Sequence, residues 1–410
     1  MTIGFSFRTA ASRSAVTRVA ARCSALCVAG ALAVTPGQAA ALSGKDPGTP
    51  RPTVSPASSL YQEGTQARLR AGAPGVPEDI SALSWLVADA RTGDVLAAHD
   101  AHRPLPPAST LKTLFALTVL PALPGGIRHT VTERELEGIG AGSSMVGVAE
   151  GHTYRVADLW RGVFLNSGSD AVHVLASMNG GWTSTATQMQ AKARALGARD
   201  THVVSPDGYD TPGQVSSAYD LAVFGRTGLR NADFARYCAT VDSMFPGNGS
   251  PYGIQNTNRL LTGADGVERY PGMIGIKNGY TTNAGNTLVA AARHGGRTLV
   301  VTLMNPQAGG GFTVYEEARS LLDWGFAAAG HVDPVGTLLD TRSVPAAGPA
   351  ARPVATARPV ATARPVATAA LPDDEGIGWP GVAGITGAAV LGAASVALAL
   401  RLKATRGPRG

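Results

Sequence analysis

The sequence predicts an α+β fold in which an antiparallel sheet is flanked by helices. Strand-like patterns occur near both ends of the central region, at 84–100 and at 273–305. The stretch between them carries apolar residues at helical spacing. Because strand segments that are distant in sequence must meet to bury their apolar faces, we expect one sheet with helices packed on it. This globular domain is predicted to occupy residues 76–330.

Each element of the domain has its own pattern. The segment SWLVADARTGDVLAAHD predicts a hairpin whose turn lies at Thr92-Gly93-Asp94. The segments MIGIKNGYTT and NTLVAAARHGGRTLVVTLMN predict antiparallel strands joined near Asn283-Ala284-Gly285 and His294-Gly295-Gly296. The predicted helices cover 109–121, 156–178, 184–196, 217–228 and 313–327.

The positive charge of the chain is concentrated at its two ends. The 410 residues carry a net charge of +6. Residues 1–40 hold four arginines and no acid, and residues 377–410 hold three arginines, one lysine and no acid. Without those eight charges the net charge is −2. Basic ends suit membrane targeting better than a phosphate backbone, so no nucleic-acid partner is expected.

The N-terminal segment has the pattern of a secretory signal peptide. Four arginines precede the apolar stretch CSALCVAGALAV, and small residues suitable for cleavage follow near Ala39 to Ala41. We therefore assign residues 1–41 to a signal peptide. Cleavage would remove Cys23 and Cys27 and leave Cys238 alone, so no intramolecular disulfide is expected. Cys238 is predicted to be a small buried apolar side chain.

The C-terminal segment has the pattern of a membrane anchor. Residues 377–400 carry no charge over a length that spans a bilayer, and the basic tail 401–410 follows. Because positive flanks stay in the cytoplasm, the globular domain is expected outside the cell, held by one transmembrane helix in the cell membrane. A buried core helix and a wall-sorting signal beginning at Leu371-Pro372 are the alternatives.

Two segments of low complexity flank the globular domain. Residues 42–75 are rich in Pro, Gly, Ser and Ala and predict a disordered lead-in. Residues 331–376 contain ARPVAT three times in tandem, from 351 to 368. Proline in every unit favours an extended spacer, which would lift the domain away from the membrane.

A serine and a lysine open the first predicted helix. The segment PPASTLKTLFALTVL places Ser109 and Lys112 three residues apart, on one face of the helix. A serine at a helix N-terminus lies near free backbone N–H groups, which suits a nucleophile that generates an oxyanion. A lysine buried there would lose proton affinity and could accept the serine proton, whereas arginine stays charged. The structural alternative is a helix-capping Ser109 and a surface Lys112.

Two further motifs favour the catalytic interpretation. Ser167-Gly168-Ser169 precedes a helical pattern, and Lys277-Asn278-Gly279 lies in a strand pattern. The only lysines between 76 and 340 are Lys112, Lys192 and Lys277, and two of these three occupy motif positions. The ordered set resembles the penicillin-binding fold of serine β-lactamases and D,D-peptidases. The flanking sequence over about residues 80–328 resembles the D-alanyl-D-alanine carboxypeptidases of low molecular mass.

This resemblance implies a role for each motif residue. Ser109 is the nucleophile that becomes acylated, Lys112 is its base, and Ser167 passes the proton to the leaving amine. Lys277 attracts the terminal carboxylate, and the N–H groups of Ser109 and Tyr280 hold the oxyanion. The implied partners are peptidoglycan stem peptides ending in D-Ala-D-Ala, with β-lactam antibiotics as inhibitors. No cofactor is implied.

The second and third motifs depart from the family pattern. Ser169 stands where asparagine is usual, Asn278 stands where threonine is usual, and Gly279 keeps the usual residue; all three positions are implied to contact substrate. The shorter Ser169 side chain has half the hydrogen-bonding groups of asparagine. The departures leave open a protein that binds wall peptides without catalysis. A β-lactamase is a further alternative, although no Glu-x-x-Leu-Asn segment follows the second motif.

Other candidate sites have weaker patterns. The eight histidines show no H-E-x-x-H spacing, so no zinc site is expected. The absence of G-x-S-x-G disfavours an α/β-hydrolase. The segment GIGAGSS, at 138–144, lacks the strand-to-helix context of a phosphate loop and is predicted to be a flexible turn.

Overall fold

An eight-stranded antiparallel sheet lies at the centre of the computed structural model, which describes residues 59–339. The strands, in chain order, are β1 (Thr65–Leu69), β2 (Ala82–Asp89), β3 (Asp94–His99), β4 (Arg128–Thr130), β5 (Thr153–Arg155), β6 (Asp242–Phe245), β7 (Tyr252–Gln255), β8 (Met273–Thr281), β9 (Gly285–His294), β10 (Arg297–Pro306), β11 (Val332–Asp333) and β12 (Gly336–Thr337). The order across the sheet is β11-β1-β3-β2-β10-β9-β8, and β12 pairs with β3. The other four strands form the hairpins β4–β5 and β6–β7.

Helices cover both faces of this sheet. They are α1 (Lys112–Val119), α2 (Val156–Leu165), α3 (Ser169–Met178), α4 (Trp182–Ala195), α5 (Ala218–Gly228), α6 (Ala232–Cys238), α7 (Arg259–Thr262) and α8 (Thr313–Ala328), with short 3₁₀ turns at Ala108–Leu111, Glu133–Leu136 and Ala264–Gly266. Helix α8 packs on one face, and α1 and α5 pack on the other. The predicted α+β class and antiparallel sheet are confirmed.

The central strands carry apolar runs because both of their faces are buried there. Along β10, Leu299 and Val301 belong to the core beneath α8, whereas Val300 belongs to the core shared with α1 and α5. Successive strand residues point to opposite faces, so burial on both faces favours consecutive apolar side chains, and Thr302 is a buried polar residue within this run. The hairpin predicted at 84–100 and the strand pair of β9 and β10 are also confirmed.

The helix predicted over 156–178 is interrupted, which corrects the sequence interpretation. Helix α2 ends at Leu165 and α3 begins at Ser169. Between them Ser167 adopts a left-handed conformation, with φ 58°. A Cβ on Gly168 would lie 3.0 Å from Val146. The break falls in the polar run Asn-Ser-Gly-Ser-Asp at 166–170 and presents the second motif at the start of a new helix.

The sheet extends beyond both predicted limits of the domain. Strand β1 lies inside the segment 42–75, which we predicted to be disordered, and pairs with β3 and β11. Strands β11 and β12 lie inside the predicted linker 331–376. These edge strands are short and partly exposed, so their sequences lack the strong apolar alternation that marks the central strands. The limits 76 and 330 are therefore too narrow.

Several predicted segments lie outside the described residues. These are the signal peptide at 1–41, the ARPVAT repeats, the span at 377–400 and the tail at 401–410. Within residues 59–339, no helix combines the length and the apolar character needed to cross a bilayer. Cys238 is fully buried, as predicted.

Candidate active site

Ser109 lies in a tight turn that leads directly into α1. The preceding residue, Ala108, has a left-handed backbone conformation with φ 49°, which is uncommon for a residue with a Cβ. The Thr287 hydroxyl on β9 donates to the Pro107 carbonyl oxygen at 3.1 Å and ties this turn to the sheet. Ser109 remains partly exposed and lines a cleft. The fold thus holds a reactive hydroxyl at a helix N-terminus within reach of solvent.

Lys112 is buried directly behind this serine. Its side chain is 2% exposed, and its ammonium nitrogen donates to Ser109 Oγ at 2.9 Å. The same nitrogen lies 3.0 Å from the Ser167 carbonyl oxygen and 3.4 Å from Ser167 Oγ. It also lies 3.3 Å from Ser169 Oγ. The snorkelling alternative for Lys112 is therefore wrong, and one nitrogen joins the first two motifs.

The second motif is held in place by a buried carboxylate. Asp170 Oδ1 accepts from the Val146 N–H at 3.0 Å, and Asp170 Oδ2 accepts from the Gly147 and Val148 N–H groups at 2.7 and 2.8 Å. Several backbone donors on one carboxylate make a rigid connection between a helix start and a loop. This connection fixes the turn that carries the two motif serines.

Strand β8 brings the third motif against Ser109. Gly279 pairs with Thr287 on β9, and a Cβ on Gly279 would lie 2.7 Å from the Ser109 nitrogen. Only glycine allows this close approach between the strand and the turn. Lys277 is 2% exposed, and its ammonium donates to the Asn278 carbonyl oxygen at 2.8 Å. Burial, and then the charge of Lys112, hold the pKa of Lys277 well below its usual value.

A cleft of about 190 Å³ opens between these motifs. The lining residues are Ser109, Lys112, Ala141, Gly142, Ser143, Ser144, Ser169, Asp207, Gly208, Tyr209, Asp210, Tyr280, Thr281 and Thr282. Within residues 59–339, no group of three His, Cys, Asp or Glu side chains is arranged to hold a metal ion. The chemistry of the cleft is that of a serine hydroxyl beside a buried amine, with a strand along one wall.

The sequence and the fold both match one family of known proteins. Residues 70–308 match the family model described as D-alanyl-D-alanine carboxypeptidase, peptidase family S11. The chain belongs to this family.

Relatives of known name give the same result. The chain is 42% identical over 260 residues to D-alanyl-D-alanine carboxypeptidase DacB2 of Mycobacterium tuberculosis, covering 63% of this chain and 86% of the relative. It spans 64% of the length of the Escherichia coli carboxypeptidase DacD that it also matches.

Solved structures of the family have the same fold. A D-alanyl-D-alanine carboxypeptidase from M. tuberculosis aligns with a TM-score of 0.59 and 38% identity over 66% of this chain and 99% of that chain. Penicillin binding protein 6B from E. coli aligns with a TM-score of 0.57 and 32% identity, covering 64% of this chain and 81% of that chain. The domain therefore has the penicillin-binding-type fold that the motifs predicted.

The two residues that depart from the family pattern lie in different surroundings. The Ser169 hydroxyl lines the cleft and reaches Lys112 directly. The Asn278 side chain is not among the lining residues, and its amide oxygen accepts from the Thr257 hydroxyl at 2.9 Å. Tyr280, two residues further along β8, is 67% exposed at the mouth of the cleft. The short serine side chain is thus compatible with a connected site in this carboxypeptidase-family protein.

The loop at 138–144, which we predicted to be a flexible turn, forms a wall of the cleft. The Tyr209 hydroxyl donates to the Ala141 carbonyl oxygen at 3.0 Å. The Ser169 N–H donates to the Ser144 carbonyl oxygen at 2.8 Å. Gly140 permits close packing, since a Cβ there would lie 2.5 Å from the Tyr209 ring. The pattern of glycines did not predict that this loop would line the cleft.

Two aspartates near the lysine were also missed. Asp207 is buried in the cleft wall, where it accepts from the Ser205 hydroxyl at 2.9 Å. Burial lowers the pKa of Lys112 to about 8, and the charges of Asp207 and Asp170 oppose that decrease. The sequence offered one indication of Asp170, which is its position directly after the second motif. Its effect on the pKa of Lys112, 58 residues earlier in the chain, depends on contacts that form only in the folded protein.

The lowered pKa of Lys112 predicts that catalytic activity decreases as the pH falls below about 8. If neutral Lys112 accepts the serine proton, kcat/KM should rise tenfold per pH unit and level off above about pH 8. At pH 7 only about one tenth of the molecules would carry the neutral amine. Penicillin acylation rates measured from about pH 6 to 10 test this; a profile that is flat across pH 8 contradicts it.

A stability measurement checks the same pKa independently of activity. The pKa of Lys112 is lowered in the folded protein, so the folded state binds fewer protons than the unfolded chain between pH 8 and 10.5. The contribution of Lys112 to the free energy of unfolding should therefore rise with pH across that window. The difference between the wild type and Lys112→Met isolates this contribution.

Proposed function

We propose that this protein is a serine-type D-Ala-D-Ala carboxypeptidase that removes the terminal D-alanine from peptidoglycan stem peptides. The observation that supports this most strongly is the position of the Lys112 nitrogen. It is buried, it contacts the hydroxyl of a partly exposed serine, and it contacts the second motif at the same time. A buried amine of lowered pKa beside a hydroxyl is the arrangement that activates a serine without a histidine.

The proposed reaction begins with attack of Ser109 Oγ on the carbonyl carbon of the penultimate D-alanine. Lys112 takes the hydroxyl proton, and the N–H groups of Ser109 and Tyr280 stabilise the oxyanion. The C–N bond then breaks, and a proton passes through Ser167 Oγ to the leaving amine of the terminal D-alanine. Water attacks the acyl-enzyme, which releases the shortened peptide and restores the Ser109 hydroxyl.

The second buried lysine links substrate binding to catalysis. Burial and the charge of Lys112 disfavour the charged form of Lys277 in the free protein. A terminal carboxylate arriving beside Lys277 favours its charged form. Once Lys277 is charged, its positive charge lowers the pKa of Lys112. A larger fraction of Lys112 is then neutral and able to accept the serine proton. A peptide with an amidated C-terminus would lack this effect.

The proposed inhibitors and location follow from the same family pattern and from the sequence. β-Lactams would acylate Ser109, since they present a strained amide and a carboxylate to the same groups. We further propose export and anchoring in the cell membrane through residues 377–400, with the catalytic domain outside. The uncharged run and the basic residues after it support this placement. Recovery of full-length protein from the culture medium would contradict it.

The function is tested by the release of D-alanine. The full chain is incubated with a stem pentapeptide ending in D-Ala-D-Ala, beside the Ser109→Ala variant. Loss of the nucleophile should reduce release by about 10⁶-fold, to background. Ser143→Ala, in the loop at 138–144 that lines the cleft, should retain activity within about tenfold, since it removes neither the nucleophile nor the base. Equal release by the wild type and Ser109→Ala would refute the assignment, and no release by folded wild type would favour a peptide-binding protein.

A further inference from the structure

A second pocket lies where two turns of the sheet meet. The turn between β2 and β3 contributes Arg91, and the adjoining ends of β9 and β10 contribute Arg293 and Arg297. Together with Asp89 and Gly295-Gly296 they line a recess of about 490 Å³. We call this recess the arginine pocket.

Positive charge is in excess in the arginine pocket. Within residues 59–339, Asp89 is the one acidic side chain that lines it, against three arginines. Asp89 Oδ2 lies 3.3 Å from Arg297 Nη1, and Asp89 Oδ1 accepts from the backbone N–H groups of Arg91 and Thr92. Arg293 Nε donates to the hydroxyl of Thr298, which is a neutral partner. One carboxylate is thus already engaged, and it does not balance the three cations.

A buried arginine adds positive charge next to the arginine pocket. Arg226 on α5 donates to the carbonyl oxygens of Ala90 and Arg91 at 2.9 and 3.1 Å. Burial lowers the pKa of Arg226, and the nearby charge of Arg230 lowers it further. Residues 41–376, which include the domain, have a net charge of −2. The arginine pocket is therefore a local cationic surface on a domain that is not basic overall.

The floor of the arginine pocket is open backbone. Gly295 and Gly296 both have left-handed conformations, with φ 53° and 81°. A Cβ at either position would meet no atom within 4 Å. The turn therefore leaves room for a ligand between the flanking arginines.

The arginine pocket lies at the far end of the sheet from the nucleophile. On β9, Thr287 lies beside the catalytic turn, and Arg293 lies six residues further on, or roughly 20 Å along the strand. The chain also leaves the sheet at this far end, because the Leu338 N–H donates to the Gly93 carbonyl oxygen at 2.7 Å. The residues that follow in sequence include the run at 377–400.

We propose that the arginine pocket binds the phosphate groups of anionic membrane lipids. Planar guanidinium groups pair with phosphate oxygens through two hydrogen bonds, and clustered arginines bind anionic bilayers. The opposite placement of pocket and cleft would turn the catalytic cleft away from the bilayer while the domain is docked. The chain leaves the sheet at the same end, and the spacer predicted between the domain and residues 377–400 would keep the domain within reach of the lipid surface, which favours lipid over a soluble anionic polymer. This inference is separate from the carboxypeptidase activity.

Hydrogen exchange of the full chain tests the proposal. The protein is mixed with vesicles of phosphatidylglycerol and phosphatidylcholine, or of phosphatidylcholine alone. Amides of the turns at 90–93 and 294–298 should exchange more slowly with the anionic vesicles only. Replacing the three pocket arginines with glutamine should raise the lipid concentration for half-protection on the order of a hundredfold. The matched control changes three exposed arginines elsewhere, Arg128→Gln, Arg134→Gln and Arg155→Gln, and should leave that concentration unchanged.

Each other outcome overturns the proposal. Equal protection with phosphatidylcholine alone removes the requirement for anionic lipid. The same protection by inorganic phosphate without vesicles indicates a free-phosphate site, and protection only by a soluble glycerol phosphate polymer indicates a wall partner. If the triple variant does not fold, the single Arg91→Gln change at an exposed position must still weaken protection. D-Alanine release, measured in parallel, should be unchanged and reports separately on the proposed function.

Discussion

Replacing Lys112 with arginine should reduce acylation of Ser109 by about a thousandfold. The guanidinium remains charged at every pH at which the protein is folded, so it cannot accept the hydroxyl proton. It also remains a cation, so the electrostatic environment of Lys277 is largely retained. The change therefore removes the base without removing the positive charge. Penicillin labelling followed over time, and D-alanine release from a pentapeptide, measure the loss.

The control for this prediction is the remaining lysine of the domain. Lys192 lies on α4 and is absent from the residues that line the cleft, so Lys192→Arg should label at the wild-type rate. Because arginine is larger than lysine and Lys112 is buried, Lys112→Met provides a second variant that lacks the base but fits the apolar space. Both Lys112 variants should lose labelling while keeping a cooperative thermal transition. Wild-type labelling in Lys112→Arg would eliminate Lys112 as the base.

The sequence was sufficient to predict the contact between Ser109 and Lys112 because its signal is local. The two residues are three apart, and a helix places such residues on one face wherever it packs. The rarity of lysine then distinguished a candidate base from an ordinary cation. The central strands were predictable for a similar reason, since β9 and β10 are buried on both faces at their centres and carry local apolar runs there, at 288–292 and 299–304.

The remaining parts of the site depend on contacts between distant segments. Asp207 influences the pKa of Lys112 only because the chain returns to the cleft 95 residues later. The loop at 138–144 becomes a wall because Tyr209 packs on Gly140. The turn at Ser167 is held from outside the segment, since the Asp170 carboxylate accepts from the backbone N–H groups of residues 146–148. No local pattern in the chain encodes these contacts.

Gly208 tests how the contact between two distant segments positions Ser109, because its backbone lies against the turn that carries this serine. Its φ is 83°, and a Cβ there would lie 2.0 Å from the Ala108 carbonyl oxygen and 3.2 Å from the Ser109 nitrogen. Gly208→Ala must therefore displace the turn that carries Ser109. A misplacement of about 1 Å can reduce catalysis roughly a hundredfold, so we expect at least that loss in penicillin acylation and in D-alanine release.

The matched control is Gly213→Ala, five residues further along the same segment. Gly213 has nearly the same conformation, with φ 85°, but its Cβ would come no closer than 3.9 Å to another side chain. Both alanines bear the left-handed strain of about 1–2 kcal/mol, and only Gly208→Ala adds the overlap with Ala108. Similar losses of thermal stability with unequal losses of acylation would therefore isolate the positioning of Ser109. Equal losses of acylation would show that strain in the segment, and not contact with the nucleophile turn, limits the reaction. If Gly208→Ala fails to fold while Gly213→Ala folds, the native turn itself requires that residue 208 has no Cβ. A smaller displacement can then be produced by Gly279→Ala, whose Cβ would lie 2.7 Å from the Ser109 nitrogen.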